Sequence, residues 1–247
     1  MVRLDKFLVD AGIGTRSEVK KYIKKKQVKV NGSSNVSPEQ KIDEEKDSVC
    51  YLGEEISYEK YAYYLFHKPA GCVTAKTDKT ERTVMDYFPE QMRRKFSPVG
   101  RLDKDTEGLL IITNDGAFHH RLVSPAYHVP KTYEAVLDKP VPAEAVTLFQ
   151  EGVDIGDEKK TLPAELTIFP PEDKDGKEQC RAQLVITEGR YHQVKRMFLA
   201  VGCTVTYLKR VSIGSLSLQN LPKGEYRRLT EQEVEDLRKI SSEKKSI

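Results

Sequence analysis

Gly100-Arg101-Leu102-Asp103-Lys104-Asp105-Thr106-Glu107-Gly108-Leu109-Leu110-Ile111-Ile112-Thr113-Asn114-Asp115-Gly116 is the stretch on which the fold turns. Residues 109–112 are a short unbroken apolar run, the pattern of a strand buried on both faces. Asn114-Asp115-Gly116 supplies the turn that ends it. Ahead of the strand, Asp103, Asp105 and Glu107 alternate with Arg101 and Lys104 between two glycines. A solvated loop accounts for such charges, but not for their running straight into a core strand. The mouth of a rigid strand is where reactive side chains are well held. Any of the three acids could serve, so the rest of the chain is read for partners.

Two later segments supply them. Lys131-Thr132-Tyr133-Glu134-Ala135-Val136-Leu137 reads as a strand. Residues 188–198 read as a strand end turning into a helix, with Val194, Met197, Phe198 and Val201 as the buried stripe and Gly202 as the stop. Tyr191 and Lys195 are four apart and share a face away from that stripe. A carboxylate, a phenol and a cation suit a flat polar substrate. The ring can stack on a base, and a nearby cation favours the ionised acid. Taken singly, each has an ordinary explanation: a loop Asp as a cap or ion pair, a strand Tyr as core, a helical Lys as a solvated charge.

Around these segments the chain alternates strands and helices without a βαβ period. Strands are predicted over 61–66, 72–74, 180–187 and 204–211, and helical pieces over 84–88, 117–123 and 143–150. His67-Lys68-Pro69-Ala70-Gly71 is predicted as a turn. Thr230 and Glu233 form a capping box for a last helix carrying Val234 and Leu237. No glycine loop opens a helix. The pattern predicts an α+β fold with a mixed, mainly antiparallel sheet flanked by helices. Neither GxGxxG nor GxxxxGK[ST] occurs, so no nucleotide cofactor is expected. Cys50, Cys72, Cys180 and Cys203 form no CxxC pair, which argues against a zinc site or disulfide framework and for a reducing cytoplasm.

The 247 residues are 38% hydrophobic and 32% charged, as in a globular protein with a highly charged surface. No apolar run approaches the ~20 residues of a membrane span, and the N-terminus has no signal-peptide pattern. The net charge of +3 is unevenly spread: residues 1–32 hold nine Lys/Arg against three Asp/Glu, and the remainder 32 against 35. Such asymmetry points to nucleic acid. Leu4, Phe7, Leu8 and Ala11 make a helical stripe. Thr15 with Glu18 caps a second helix, whose outer side and end carry Arg16, Lys20, Lys21, Lys24, Lys25 and Lys26. Val28 and Val30 flank Lys29 before the Asn31-Gly32 turn. A lysine run is usually a solvated face, but this one is nearly single-signed and borders a compact two-helix unit. Residues 53–60 read as an acidic linker and 241–247 as a loose tail.

With Arg3-Leu4-Asp5, Leu8, Gly12, Thr15-Arg16-Ser17, Ile23 and Val28-x-Val30-Asn31-Gly32, the start of the chain resembles the S4 RNA-binding domain. The segments 100–110, 188–197 and 61–71, in their order and separation, resemble the motifs of the pseudouridine synthase family. Within it, the similarity is to the branch that modifies small-subunit ribosomal RNA. The resemblance implies a small S4-type domain over 1–60, linker included, and a catalytic domain over 61–240.

It also implies roles. Asp103 is the catalytic aspartate, Tyr133 packs on the target base, and Lys195 pairs with the aspartate. Arg101 holds the flipped-out nucleotide. RNA contacts are expected from Arg3, Arg16, Lys20, Lys24, Lys25, Lys26 and Lys29, and from Lys68, Arg190, His192, Gln193 and Arg196. The implied reaction converts uridine to pseudouridine in 16S ribosomal RNA, free or in a small-subunit assembly intermediate. It needs neither metal nor cofactor, and the protein is expected to act as a cytoplasmic monomer. The alternatives are a synthase for 23S ribosomal RNA and a non-catalytic RNA-binding or ribosome-assembly factor.

Overall fold

All seven residues of the strand Glu107–Thr113 are buried, and the pleat explains why an unbroken apolar run is needed there. Leu109 and Ile111 point into a core with Leu65, Phe118, Val234 and Leu237. Leu110 and Ile112 point the other way, among Phe66, Val84, Met85, Phe88 and Phe96. In this computed structural model the described residues are 1–44, 46–56, 60–174 and 177–242. They form two compact units, one ending at Tyr61 and one starting at Ala62.

In the first unit, helices Leu4–Asp10 and Arg16–Lys24 pack Leu4, Phe7, Leu8, Val19 and Ile23 against Val28, Val30, Ile42 and Val49. The Thr15–Glu18 capping box is formed. Val28–Val30 pairs antiparallel with Val49–Tyr51, which pairs in turn with Glu54–Glu55. The segment predicted as a linker therefore begins as a strand of this unit. Its residues 57–59 lie outside the described residues, as do 243–247 of the predicted tail.

The second unit is built on a sheet of ten strands among the described residues. The path runs Glu165–Ile168, Lys177–Ile186, Lys131–Leu137, Val205–Ile213, Glu107–Thr113, Tyr63–Lys68, Tyr226–Arg228. Every pairing on it is antiparallel except Val205–Ile213 with Glu107–Thr113. The α+β expectation holds. At the parallel pairing Gly108 lies opposite Arg210 with φ +110°, and a Cβ there would come within 2.1 Å of the Arg210 carbonyl oxygen. Asp115 ends the central strand by capping the helix Gly116–Val123, accepting from the Phe118 N–H at 3.0 Å.

Two local expectations are corrected. The strand predicted over 61–66 runs Tyr63–Lys68, so Lys68 closes a strand instead of sitting in a turn. Residues 72–74 form no strand beyond a single bridge from Val73 to Thr83, because Thr74 turns inward to the loop before the central strand. No described helix is long and apolar enough to cross a membrane.

Candidate active site

The loop carrying Asp103 is held from both sides. The Thr74 hydroxyl donates to the Leu102 carbonyl at 2.7 Å and accepts from the Leu102 N–H at 3.1 Å. Lys68, with no exposed surface, donates to the carbonyls of Pro69, Lys104 and Thr106 at 3.0, 3.3 and 2.8 Å. Its burial lowers its pKa, and the three carbonyls replace the water stripped from the ammonium. The Gly71 N–H adds a bond to the Lys104 carbonyl at 2.8 Å, and the Thr106 N–H one to the Asp103 carbonyl at 3.1 Å. Asp103 thus sits on main chain fixed at the residues on either side of it.

Its side chain faces a cleft of about 530 Å³, shared with Arg101, Tyr133, Tyr191, His192 and Lys195. Of the three acids, only Asp103 lines this cleft. Asp105 lies outside it and holds the Lys195 ammonium at 2.6 and 2.8 Å. That bond brings its carboxyl below the usual carboxylate range, against some burial. Glu107 also lies outside, bound by the Tyr207 hydroxyl and the Lys223 ammonium, each at 2.7 Å. Burial alone would raise the Glu107 pKa, and these two donors bring it below its ordinary value.

Asp103 keeps looser neighbours. Lys195 Nζ is 3.4 Å from its Oδ2 and His192 Nε2 is 3.5 Å from its Oδ1. Lys195 therefore lies between two carboxylates and is closer to Asp105, an arrangement that the loop spacing does not reveal. Tyr133 lies in the same cleft and is 8% exposed, on a strand whose alternate residues point inward.

Several residues expected to contact RNA have internal partners, although Arg190 and Gln193 also line the cleft. Lys68 cannot reach a ligand from its buried position. Gln193 is buried and spends its amide on the Glu188 carboxylate at 3.0 Å and the Arg190 N–H at 2.9 Å. Arg190 binds Glu188, Asp157 and the carbonyls of Lys159 and Lys160. Arg196 binds Asp157 and the carbonyls of Ile155 and Tyr191. A guanidinium has five N–H donors, and here internal acceptors occupy most of them. The bonds of Arg190, Gln193 and Arg196 fix the turn before the helix Gln193–Ala200.

In the first unit Arg3 grips the buried Asp5 with two hydrogen bonds of 3.0 and 2.9 Å, and also meets Glu39 at 3.2 Å. Arg16, 3.8 Å from the same Asp5, keeps two thirds of its side chain exposed. Lys20, Lys24, Lys25, Lys26 and Lys29 are exposed and form no ion pair among the described residues.

Tyr191, Lys131 and Arg210 are among the lining residues with no role assigned from sequence. Tyr191 is 77% exposed and stacks on His192, with ring centroids 3.8 Å apart and planes 18° from parallel. The other two are Lys131 and Arg210, both buried. Strand alternation carried the signal for both: Lys131 is two residues from Tyr133, and Arg210 two from the buried Leu208. Burial, with Arg210 nearby, pulls Lys131 down to about 8.

Residues 62–200 match the family described as RNA pseudouridylate synthase, and residues 2–47 match the S4 domain. A Bacillus subtilis protein described as an uncharacterized RNA pseudouridine synthase is 43% identical, covering 94% of this chain and 97% of its own. Ribosomal small subunit pseudouridine synthase A of Haemophilus influenzae is 38% identical, covering 96% and 99%. Ribosomal large subunit pseudouridine synthase B of Bacillus subtilis is 36% identical, covering 100% and 99%. A crystal structure of a pseudouridylate synthase, 38% identical, superposes with a TM-score of 0.67 over 96% of this chain and all of that one. With its central loop, cleft and mixed sheet in place and these likenesses spanning nearly its whole length, the chain belongs to the RNA pseudouridylate synthase family.

Proposed function

We propose that this enzyme isomerises a uridine of 16S ribosomal RNA to pseudouridine, with Asp103 as the reacting carboxylate. The observation that carries the proposal is the meeting of Asp103, Tyr133 and Lys195 in one cleft, from three segments far apart in sequence. Tyr133 packs on the base, Lys195 balances the charge of Asp103, and Arg101 and His192 hold the nucleotide at the rim. The S4-type unit holds structured RNA through its exposed lysines. The likeness to small-subunit synthases supports 16S ribosomal RNA. The likeness to a large-subunit synthase supports a second reading, in which the uridine lies in 23S ribosomal RNA. Pseudouridine mapping of both RNAs at single-nucleotide resolution, with and without the protein, separates the two. A site that disappears from 16S supports the first reading and one that disappears from 23S the second. Unchanged maps would remove both.

Replacing Lys24, Lys25 and Lys26 together by Ala is expected to weaken RNA binding and flatten its salt dependence. The slope of log Kd against log salt should fall by about 0.7–0.9 for each phosphate that the protein no longer neutralises. An unchanged slope in a filter-binding titration would place these lysines outside the interface.

Lys68→Met tests the buried strut. Because Lys68 offers no surface to a ligand, RNA affinity should stay within about threefold. The rate under single-turnover conditions should drop about 10- to 100-fold, since a misplacement near 1 Å can cost that much. A weakened affinity at an unchanged rate would restore Lys68 to RNA binding.

A further inference from the structure

Lys131 and Arg210 pose a problem that the roles above leave unsolved. Both are more than nine-tenths buried, both line the cleft beside Tyr133, and neither has a carboxylate within ion-pair distance among the described residues. Lys131 Nζ donates to the Val129 carbonyl at 2.8 Å. Arg210 Nε donates to the Leu109 carbonyl at 2.8 Å, and Nη1 to the Tyr133 hydroxyl at 3.3 Å. Arg210 Nη2 is buried with no partner among the described residues. Arg210 and Tyr133 are cross-strand neighbours in the sheet, so the guanidinium is tied to the ring proposed to pack on the base. Two buried cations without a counter-ion are costly to fold. They make physical sense where a negative charge arrives or develops.

The reaction generates such a charge. When the C1′–N1 bond breaks, its electron pair stays with the uracil, which becomes a monoanion with charge spread over N1, O2, C5 and O4. C1′ is left one pair short. After the ring turns, C5 supplies the pair for the new C1′–C5 bond. The C5 proton then departs and N1 takes one up, so substrate and product have the same composition. We propose that Lys131 and Arg210 form the fixed positive wall of the cleft that stabilises the detached uracil anion between bond breaking and bond making. Fixed charges in a water-poor site act strongly on charge that develops during reaction and need no reorganisation to do so. The inference rests on the pseudouridine synthase reading of this cleft.

The test uses the full-length protein with 16S and 23S transcripts made with UTP or with 5-fluoro-UTP. Fluorine withdraws charge from the ring, so the 5-fluorouracil anion needs less help from the protein. Two quantities are measured: the RNA Kd, and the single-turnover rate at which the N-linked nucleoside disappears from the target position. Arg210→Met is expected to slow the uridine transcript about 10²–10³-fold, the range for removing one such donor. The effect on the 5-fluorouridine transcript should be at least about tenfold smaller, with Kd little changed and Arg210→Lys recovering part of the rate. Lys131→Met should show the same pattern with a smaller amplitude, and it decides the matter if Arg210→Met does not fold by circular dichroism.

Equal slowing of the two transcripts, or an effect confined to Kd, would overturn the inference. If the wild type is active and Asp103→Asn is not, while both cation variants keep the wild-type rate, this inference alone fails. If the wild type changes neither transcript, the proposed reaction fails and this inference with it.

Discussion

Asp103→Asn is expected to abolish pseudouridine formation at the target site while leaving the protein folded and able to bind RNA. The substitution keeps the shape of the side chain and removes its charge. The loop does not depend on that charge, because its supports are main-chain bonds to Thr74, Lys68 and Gly71. Lys195 stays anchored on Asp105. The rate should fall by about 10⁴-fold or more, the scale seen when a reacting group is removed from an otherwise intact site. Ribosomal RNA from cells carrying only the variant, mapped at single-nucleotide resolution, gives the answer. A target that stays fully modified would mean that another group performs the chemistry.

Gly108→Ala should damage the fold itself. The residue has φ +110°, which side chains rarely adopt, and its missing Cβ leaves room for the main chain of Arg210. A methyl group would meet the Arg210 carbonyl oxygen at 2.1 Å and its nitrogen at 2.7 Å, and neither is the end of a flexible side chain. The two strands would have to part at the parallel pairing on the main path of the sheet, next to the cleft. The expected destabilisation is about 3–5 kcal/mol, in the upper range for one substitution. At this chain length that corresponds to a fall in Tm of more than about 6 °C, or to insoluble protein. Gly116→Ala is the control: it opens a helix, its Cβ would meet nothing within 4 Å, and the change should be neutral or slightly stabilising. Equal effects at the two positions would refute the packing argument.

The sequence exposed what depends on local pattern. The run at 109–112 reads as a strand buried on both faces and is one, and the Thr15 and Thr230 capping boxes form as their spacing predicts. What stayed hidden depends on which distant group a long side chain meets. Lys195 reaches Asp105 as well as Asp103, and two acids two positions apart in a loop cannot be ranked from spacing. Arg190 and Arg196 carry the same charge as an RNA contact would, yet backbone carbonyls near residues 155–160 claim them. Lys68 reads as surface because lysine usually is; only the meeting of three carbonyls from two loops makes a buried ammonium tolerable.

The same strut has a consequence for the choice of target. If Asp103 is the reacting carboxylate as proposed, its loop is held by Thr74 and Lys68, and the deformation needed to bring it to its substrate falls on the nucleic acid. Uridines are chemically alike but differ in that respect: one in a bulge or a slack loop leaves its neighbours more easily than one stacked and paired in a duplex. For a rigid synthase, the local mechanics of the RNA then act as a filter of their own. It sorts identical bases by how readily each can be drawn out, without any contact that reads their edges.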